Sequence, residues 1–330
     1  MNTHFKFTLF AASLLLLGNS HANESPEKIQ AEFIDTMVQE HGFDKADLNR
    51  TLSGAKVKNS ILEAIARPAE KRLTWSQYRK IFLIPKRIEG GVKFWQENKS
   101  ALDEAHSKYG VPPEIITAII GVETLYGKHT GGYRVLDALT TLGFHYPPRS
   151  KFFRSELSNF LQLTREEKID PAIPTGSYAG AMGKPQFIPS SYRHYAIDFD
   201  RDGKRDIWDN NIDVIGSVAN YFSRHDWRRN LPVTVPVSAV TKEHQAFVDA
   251  GMKPSLSIAS LRQAGIKVDD SISPDMTTSL VELVIDEGHE YWAGLHNFYV
   301  ITRYNHSNMY AMAVYQLSQA IKEAYQSSDA

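Results

Sequence analysis

One carboxylate stands at the end of an apolar run, Ile115-Ile116-Thr117-Ala118-Ile119-Ile120-Gly121-Val122-Glu123. A folded protein buries such a run, and desolvation disfavours a charged carboxyl, so Glu123 is expected to hold its proton near neutral pH. Cleavage of a glycosidic bond needs a general acid of that kind. The competing reading is a helix carboxylate paired to a core Arg or Lys. Ordinary glycosidases place two carboxylates about the bond; here Glu123 is the one convincing candidate, because the other clustered acids fall in a loop of different character.

That loop is Asp198-Phe199-Asp200-Arg201-Asp202-Gly203-Lys204-Arg205-Asp206-Ile207-Trp208-Asp209. It fits a twelve-residue cation loop with acids at positions 1, 3 and 5 and glycine at position 6. Hard oxygen ligands must converge from alternate residues, so Asp198, Asp200 and Asp202 are candidate ligands, with Lys204 offering its main-chain carbonyl, Asp206 acting through water, and Asp209 at position 12 in place of the usual glutamate. The bland alternative is a solvated acidic turn. Sensors usually pair two such loops, so a single one is read as a structural Ca2+ site rather than a switch, with no organic cofactor implied.

The elements that must position these residues are mostly helical. Residues 27–50 carry Ile29, Phe33, Met37 and Val38 on one helical face, and Asn59 is a plausible N-cap for 61–65. Trp75, Tyr78 and Phe82 fall at i, i+3 and i+7, which is core spacing by default; the sharper reading turns Tyr78 toward a sugar cleft. Residues 92–109 predict one helix ending at Gly110, and Pro113 opens another over 114–126, closing at Gly127. Glu123 then sits in a last turn, where the helix dipole also disfavours an anion. Helices are predicted over 149–163, 212–225 and 308–325. Residues 170–191 are irregular and rich in Gly, Pro and Ser, and a long irregular segment with aromatic residues points to function. Residues 231–237 alternate like an edge strand with prolines, and 277–285 and 299–303 are strand-like too.

The 330 residues carry 37 basic and 38 acidic side chains, a net charge of −1, which argues against nucleic acid as a partner. Lys6, the apolar stretch 9–17 and Ser20-His21-Ala22 read as a cleavable export signal, cut after Ala22. With no cysteine there is neither a disulfide nor a lipid on an N-terminal cysteine, so a soluble exported protein, periplasmic and monomeric, is expected.

Taken together, Gly121-Val122-Glu123-Thr124-Leu125-Tyr126-Gly127, Gly180-Ala181-Met182-Gly183-Lys184-Pro185-Gln186-Phe187-Ile188-Pro189-Ser190-Ser191-Tyr192, the acidic loop with Ile215-Gly216-Ser217-Val218-Ala219-Asn220-Tyr221-Phe222, and Asn297-Phe298-Tyr299-Val300-Ile301-Thr302-Arg303-Tyr304-Asn305-His306-Ser307 resemble the membrane-bound lytic murein transglycosylase B family, in its order and over nearly all of the mature chain. The resemblance implies an α+β fold: a mainly α-helical lysozyme-like core with an additional α-helical region and a small β-rich region. Its divisions here would be a signal peptide over 1–22, a helical region over 23–109, a catalytic core over 110–228 holding the calcium loop 198–209, a β-rich region over 229–296, and a closing segment 297–330. It implies cleavage of the β-1,4 bond between N-acetylmuramic acid and N-acetylglucosamine in peptidoglycan glycan strands, leaving a 1,6-anhydro sugar, with other cell-wall enzymes as possible partners.

Glu123 matches the family's single catalytic acid, Ser177 and Gln186 its glycan contacts, and Tyr78 and Tyr304 further contacts. Asp198, Asp200, Asp202, Lys204 and Asp209 match its ion loop. Ser177 and Tyr178 would hold the muramyl N-acetyl group, unless Ser177 does turn work and Gln186 braces backbone. Tyr304 reaches the acid or the sugar, or packs in the core. Arg149 meets a substrate carboxylate, or a surface acid; the family's paired basic residues are Pro148-Arg149 here. A water-using muramidase and a non-catalytic, calcium-stabilised peptidoglycan-binding protein are the competing functions.

Overall fold

The computed structural model describes residues 25–66 and 73–328, so the expected signal 1–22 lies outside the described residues. The chain begins with α1 (Pro26–His41), α2 (Lys45–Ser53), α3 (Asn59–Ile65), α4 (Trp75–Phe82), α5 (Pro85–Glu97) and α6 (Lys99–Tyr109). Both long helical stretches read from spacing are in fact pairs of helices. The 27–50 pattern breaks where Gly42 closes α1 in the left-handed region and Asp44 caps α2 by accepting from the Asp47 amide. The 92–109 pattern breaks at Asn98, whose side-chain amide donates to the Phe94 carbonyl at 2.8 Å and competes with the helix backbone. Asn59 is the first residue of α3 rather than its cap; Lys58 holds the cap position without a side-chain bond.

Next comes α7 (Pro113–Thr124), apolar on every side and therefore central. It packs against α5, α6, α11 and α15. β1 (Tyr133–Arg134), α8 (Val135–His145), α9 (Ser150–Glu166), β2 (Thr175–Gly176), α10 (Pro189–Tyr195) and α11 (Asn211–Arg224) follow, β1 pairing antiparallel with β2.

β3 (Thr234–Ser238), α12 (Gln245–Asp249), β4 (Leu256–Ser257), α13 (Ile258–Gln263), β5 (Lys267–Val268), β6 (Thr277–Ile285) and β7 (Gly288–Gly294) form an antiparallel sheet ordered β4-β6-β7-β3-β5. β3 was expected at an edge, yet it lies between β7 and β5. Pro236 is tolerated there because β5 pairs only with Val237 and Ser238, leaving Pro236 bonded on the β7 side alone. The sheet has its own small core, including Val237, Ile258, Leu261, Ile266, Leu280 and Leu295.

α14 (His296–Thr302) and α15 (Asn308–Ser328) close the chain. Residues 299–303 are thus not a strand. Asn297, Phe298, Val300, Ile301 and Thr302 are all buried, and a short apolar run buried all round carries no period by which to tell strand from helix. The result is the expected α+β fold with a helical majority. Among the described residues no helix is long and apolar enough to cross a membrane.

Candidate active site and acidic loop

Every residue from Glu114 to Leu125 is buried except Glu123, which is partly exposed. Glu123 is therefore the one partly exposed residue of the buried stretch 114–125. α7 stops one residue later. Leu125 and Tyr126 both adopt left-handed backbone, at φ 51° and 59°, an unfavourable state for non-glycine residues that persists only where surroundings impose it. Here the surroundings are α5: the Tyr126 ring lies over Gly90, Gly91 and Gly121, its hydroxyl donates to the Arg87 carbonyl at 2.7 Å, and the Arg87 guanidinium donates to the Gly121 carbonyl. A Cβ at Gly121 would meet that hydroxyl at 2.6 Å, so the first glycine of the motif makes room for the ring that ends the helix.

Tyr310, in the first turn of α15, donates its hydroxyl to Glu123 Oε1 at 2.5 Å. Burial, and then the charge of Glu123, push the Tyr310 phenol well above its ordinary value, and the same two causes act on Tyr304. Both phenols therefore stay protonated donors at any physiological pH. The ionisable groups whose fields bear on Tyr310 are Glu123, Tyr304 and Tyr78, one carboxylate among phenols. Tyr78 is buried on α4 against Trp75 and Phe82. Tyr304 stands beside Tyr310, ring centroids 6.5 Å apart and nearly parallel, but gives its hydroxyl to the Pro185 carbonyl at 2.6 Å rather than to the acid.

The irregular segment between β2 and α10 folds back on itself. Met182 bridges both Gly176 and Phe187, and Gly183, at φ 65°, lies so close to the Ile207 carbonyl that a Cβ would come within 2.5 Å. Ser177 Oγ accepts from the amides of Ala179 and Ala181, at 3.2 and 3.1 Å, which is turn work and leaves its proton to donate. Gln186 gives its side-chain amide to the carbonyls of Thr130 and Gly183, bracing two loops and leaving its own carbonyl as an acceptor. Tyr178 is half-buried against the main core. Arg149 is exposed and stacks on Phe152 and Phe153, its guanidinium carbon 4.4 and 5.2 Å from the ring centroids.

In the acidic loop, Asp198, Asp200 and Asp202 bring ligand oxygens within 4.8 Å of one another, a donor set of hard oxygens that fits a divalent cation. Asp206 stands apart from this trio, accepting from the amides of Trp208 and Asp209 to shape the turn. Asp209 supplies its main-chain carbonyl to Lys184, and Lys204 donates its amide to Asp202. Sequence reasoning missed Asp213. Buried at the start of α11, it accepts from the amides of Phe199 and Asp206 and ties both halves of the loop. Burial pushes its carboxyl up. An acid in a helix's first turn is too common a feature to have flagged it. Tyr310 was missed because an aromatic in an apolar helix reads as core.

A helical fold with one partly exposed carboxylate beside a tyrosine cluster fits a glycan-cleaving enzyme. The sequence matches the family described as transglycosylase SLT domain over residues 25–319. It is 43% identical to the membrane-bound lytic murein transglycosylase B of Escherichia coli K12, over 94% of this chain and 86% of that protein. The soluble lytic transglycosylase SltB1 of Pseudomonas aeruginosa superimposes with a TM-score of 0.85 at 49% identity, covering 89% of this chain and 98% of that one. Slt35 of E. coli, solved in complex with calcium, superimposes with a TM-score of 0.82 at 44% identity, covering 90% and 93%; it has also been solved with bulgecin A. The chain belongs to the transglycosylase SLT family and is a lytic transglycosylase of peptidoglycan.

Proposed function

We propose that Glu123 acts alone, first as acid and then as base, to cleave the β-1,4 bond between N-acetylmuramic acid and N-acetylglucosamine and to leave a 1,6-anhydro muramyl end. The observation that carries this reading is the single opening in the buried stretch 114–125, filled by a carboxyl that faces a phenolic donor. Protonated Glu123 gives its proton to the leaving oxygen. The substrate's own N-acetyl carbonyl stabilises the developing positive charge at C1, a part a second carboxylate plays elsewhere. The Glu123 carboxylate, held by Tyr310, then takes the C6 hydroxyl proton as that oxygen closes on C1. Tyr310 favours the charged form and so supports the second half of the cycle. Ser177, with its free proton, Tyr178 and the Gln186 carbonyl are the proposed contacts to sugar amide and hydroxyl groups; Tyr78 and Tyr304 wall the acid, and Arg149 offers a cation to a substrate carboxylate.

Asp198, Asp200 and Asp202 are the proposed holders of a structural Ca2+, with the Lys204 carbonyl, Asp206 and Asp209 completing or supporting the site. The ion would neutralise carboxylates that otherwise repel. The proposed setting is the periplasm, after removal of residues 1–22, acting as a monomer on glycan strands. The proposed divisions are helical over 23–109, catalytic over 110–228, β-rich over 229–296 and a closing segment over 297–330.

Mass spectrometry of the products from intact peptidoglycan tests the chemistry. Anhydro-muramyl ends are expected. Reducing muramyl ends would make the enzyme a water-using muramidase, and binding without released fragments would make it a glycan-binding protein.

A further inference from the structure

We propose that Lys184 is a positioning residue that couples the acidic loop to the catalytic end of α7, so that cation occupancy sets turnover through it. The inference rests on the reading of Glu123 and of the cation loop above. Lys184 meets the second half of the loop at two points and the start of α11 at a third. Its amide donates to the Ile207 carbonyl at 2.9 Å, and its ammonium donates to the Asp209 carbonyl at 3.1 Å and to Asn211 Oδ1 at 2.6 Å. These acceptors are main-chain and amide oxygens fixed by the loop and by the start of α11, not mobile surface carboxylates.

On its other side Lys184 touches the acid's own turn. Its carbonyl accepts from Thr124 Oγ1 at 2.9 Å, and that same oxygen accepts from the Gly127 amide at 3.0 Å. Thr124 is the residue after Glu123. The lysine stem lies against Gly127, where an added Cβ would come within 2.8 Å of Cε. A second route leaves from the next residue: the Pro185 carbonyl holds the Tyr304 hydroxyl, Tyr304 stacks beside Tyr310, and Tyr310 holds Glu123.

Three carboxylates within 4.8 Å repel one another when no cation lies between them. Relief of that repulsion spreads the loop, and Lys184 follows because it is bonded to the loop's far half. Its carbonyl then draws on Thr124. A shift of about 1 Å at a catalytic group can cost on the order of a hundredfold in rate while leaving remote binding contacts intact. The coupling therefore acts on kcat and not on KM.

The test compares the wild-type protein with Lys184→Met, which keeps the stem and removes the two ammonium hydrogen bonds, and with Lys184→Arg. Turnover of a soluble peptidoglycan oligosaccharide and thermal melting are both measured in calcium and after chelation. Wild-type kcat should fall about tenfold or more on chelation with little change in KM, and Tm should fall too. Lys184→Met in calcium should already show a lowered kcat, should lose clearly less than wild type on chelation because only the main-chain links remain, and should still melt higher in calcium because its three aspartates are intact. Lys184→Arg should recover part of the rate. Asn211→Ala, which removes one acceptor without touching the lysine, should move kcat in the same direction.

Wild-type kcat in Lys184→Met, or a variant as sensitive to chelation as wild type, overturns the coupling. Two controls separate this from failure of its premises. A Glu123→Gln protein that still turns over removes Glu123 from the chemistry. A wild-type Tm indifferent to calcium removes the ion. With both controls as expected, an unaffected Lys184→Met counts against the coupling alone.

Discussion

Taking one oxygen from Tyr310 is the finest cut available at the acid. Tyr310→Phe leaves the ring in its buried place and removes the donor to Glu123 Oε1. A hydrogen bond to a charged group contributes roughly 1.5–3 kcal/mol, and its loss disfavours the carboxylate. The basic limb of the kcat/KM profile, where the acid loses its proton, should therefore move to higher pH by on the order of one unit, with kcat lowered about tenfold. An unmoved limb would show that Tyr310 only fills space. Glu123→Gln should cost on the order of 10²–10⁴ in kcat with an unchanged melting curve; full activity would end the acid–base reading. Glu123 was legible in the sequence because a carboxyl in an apolar run is conspicuous. Tyr310 was not, because its spacing fits the buried face of α15 and its partner lies 187 residues away. Ser177 and Gln186 were legible as motif members, but the backbone groups they brace appear only once the loop is folded.

At the level of elements, two joints carry testable energetics. The acidic loop should raise Tm on binding calcium, by an amount equivalent to about 2.7 kcal/mol at a concentration one hundred times the Kd. A melting curve identical in calcium and chelator would remove the structural ion. The second joint is where α10 begins on α9: the Ser190 amide donates to buried Glu156 at 2.9 Å, and burial pushes that carboxyl up. Between the unfolded value, about 4.3, and the raised folded one, the native state binds more protons. Its stability is thus full below the unfolded value and falls as pH rises through the folded one. Glu156→Gln keeps an acceptor for Ser190 and removes the titration, so its Tm relative to wild type should climb from pH 4 to pH 7. A constant difference over that range would refute the assignment. Element type was legible where one face alone is buried, as in α1 with Phe33, Ile34 and Met37. It failed for α14, buried on all sides, and helix ends failed where a side chain such as Asn98 shares a helix carbonyl with the backbone.

For the molecule as a whole, the sheet's hairpin reaches the helical body: Arg79 of α4 pairs with Glu290 of β7 at 3.2 Å, and the Asp286 amide donates to Ser76. The element bearing Tyr78 thus leans on the β-rich part as well as on the helices. Composition and strand spacing foretold a β-rich stretch, but not which helix it would brace, since that contact joins residues about two hundred positions apart. The Tyr126 ring seated over α5 reinforces the left-handed turn at Leu125 and Tyr126, which the local bonds to Ile120, Gly121 and Thr124 only close within the chain. A half-assembled chain therefore holds the acid's residue but not its aim, and stays chemically silent. On refolding from denaturant, activity should return with the docking of α5 and lag behind recovery of helical circular dichroism; activity that returns in step with the first helical signal would contradict this.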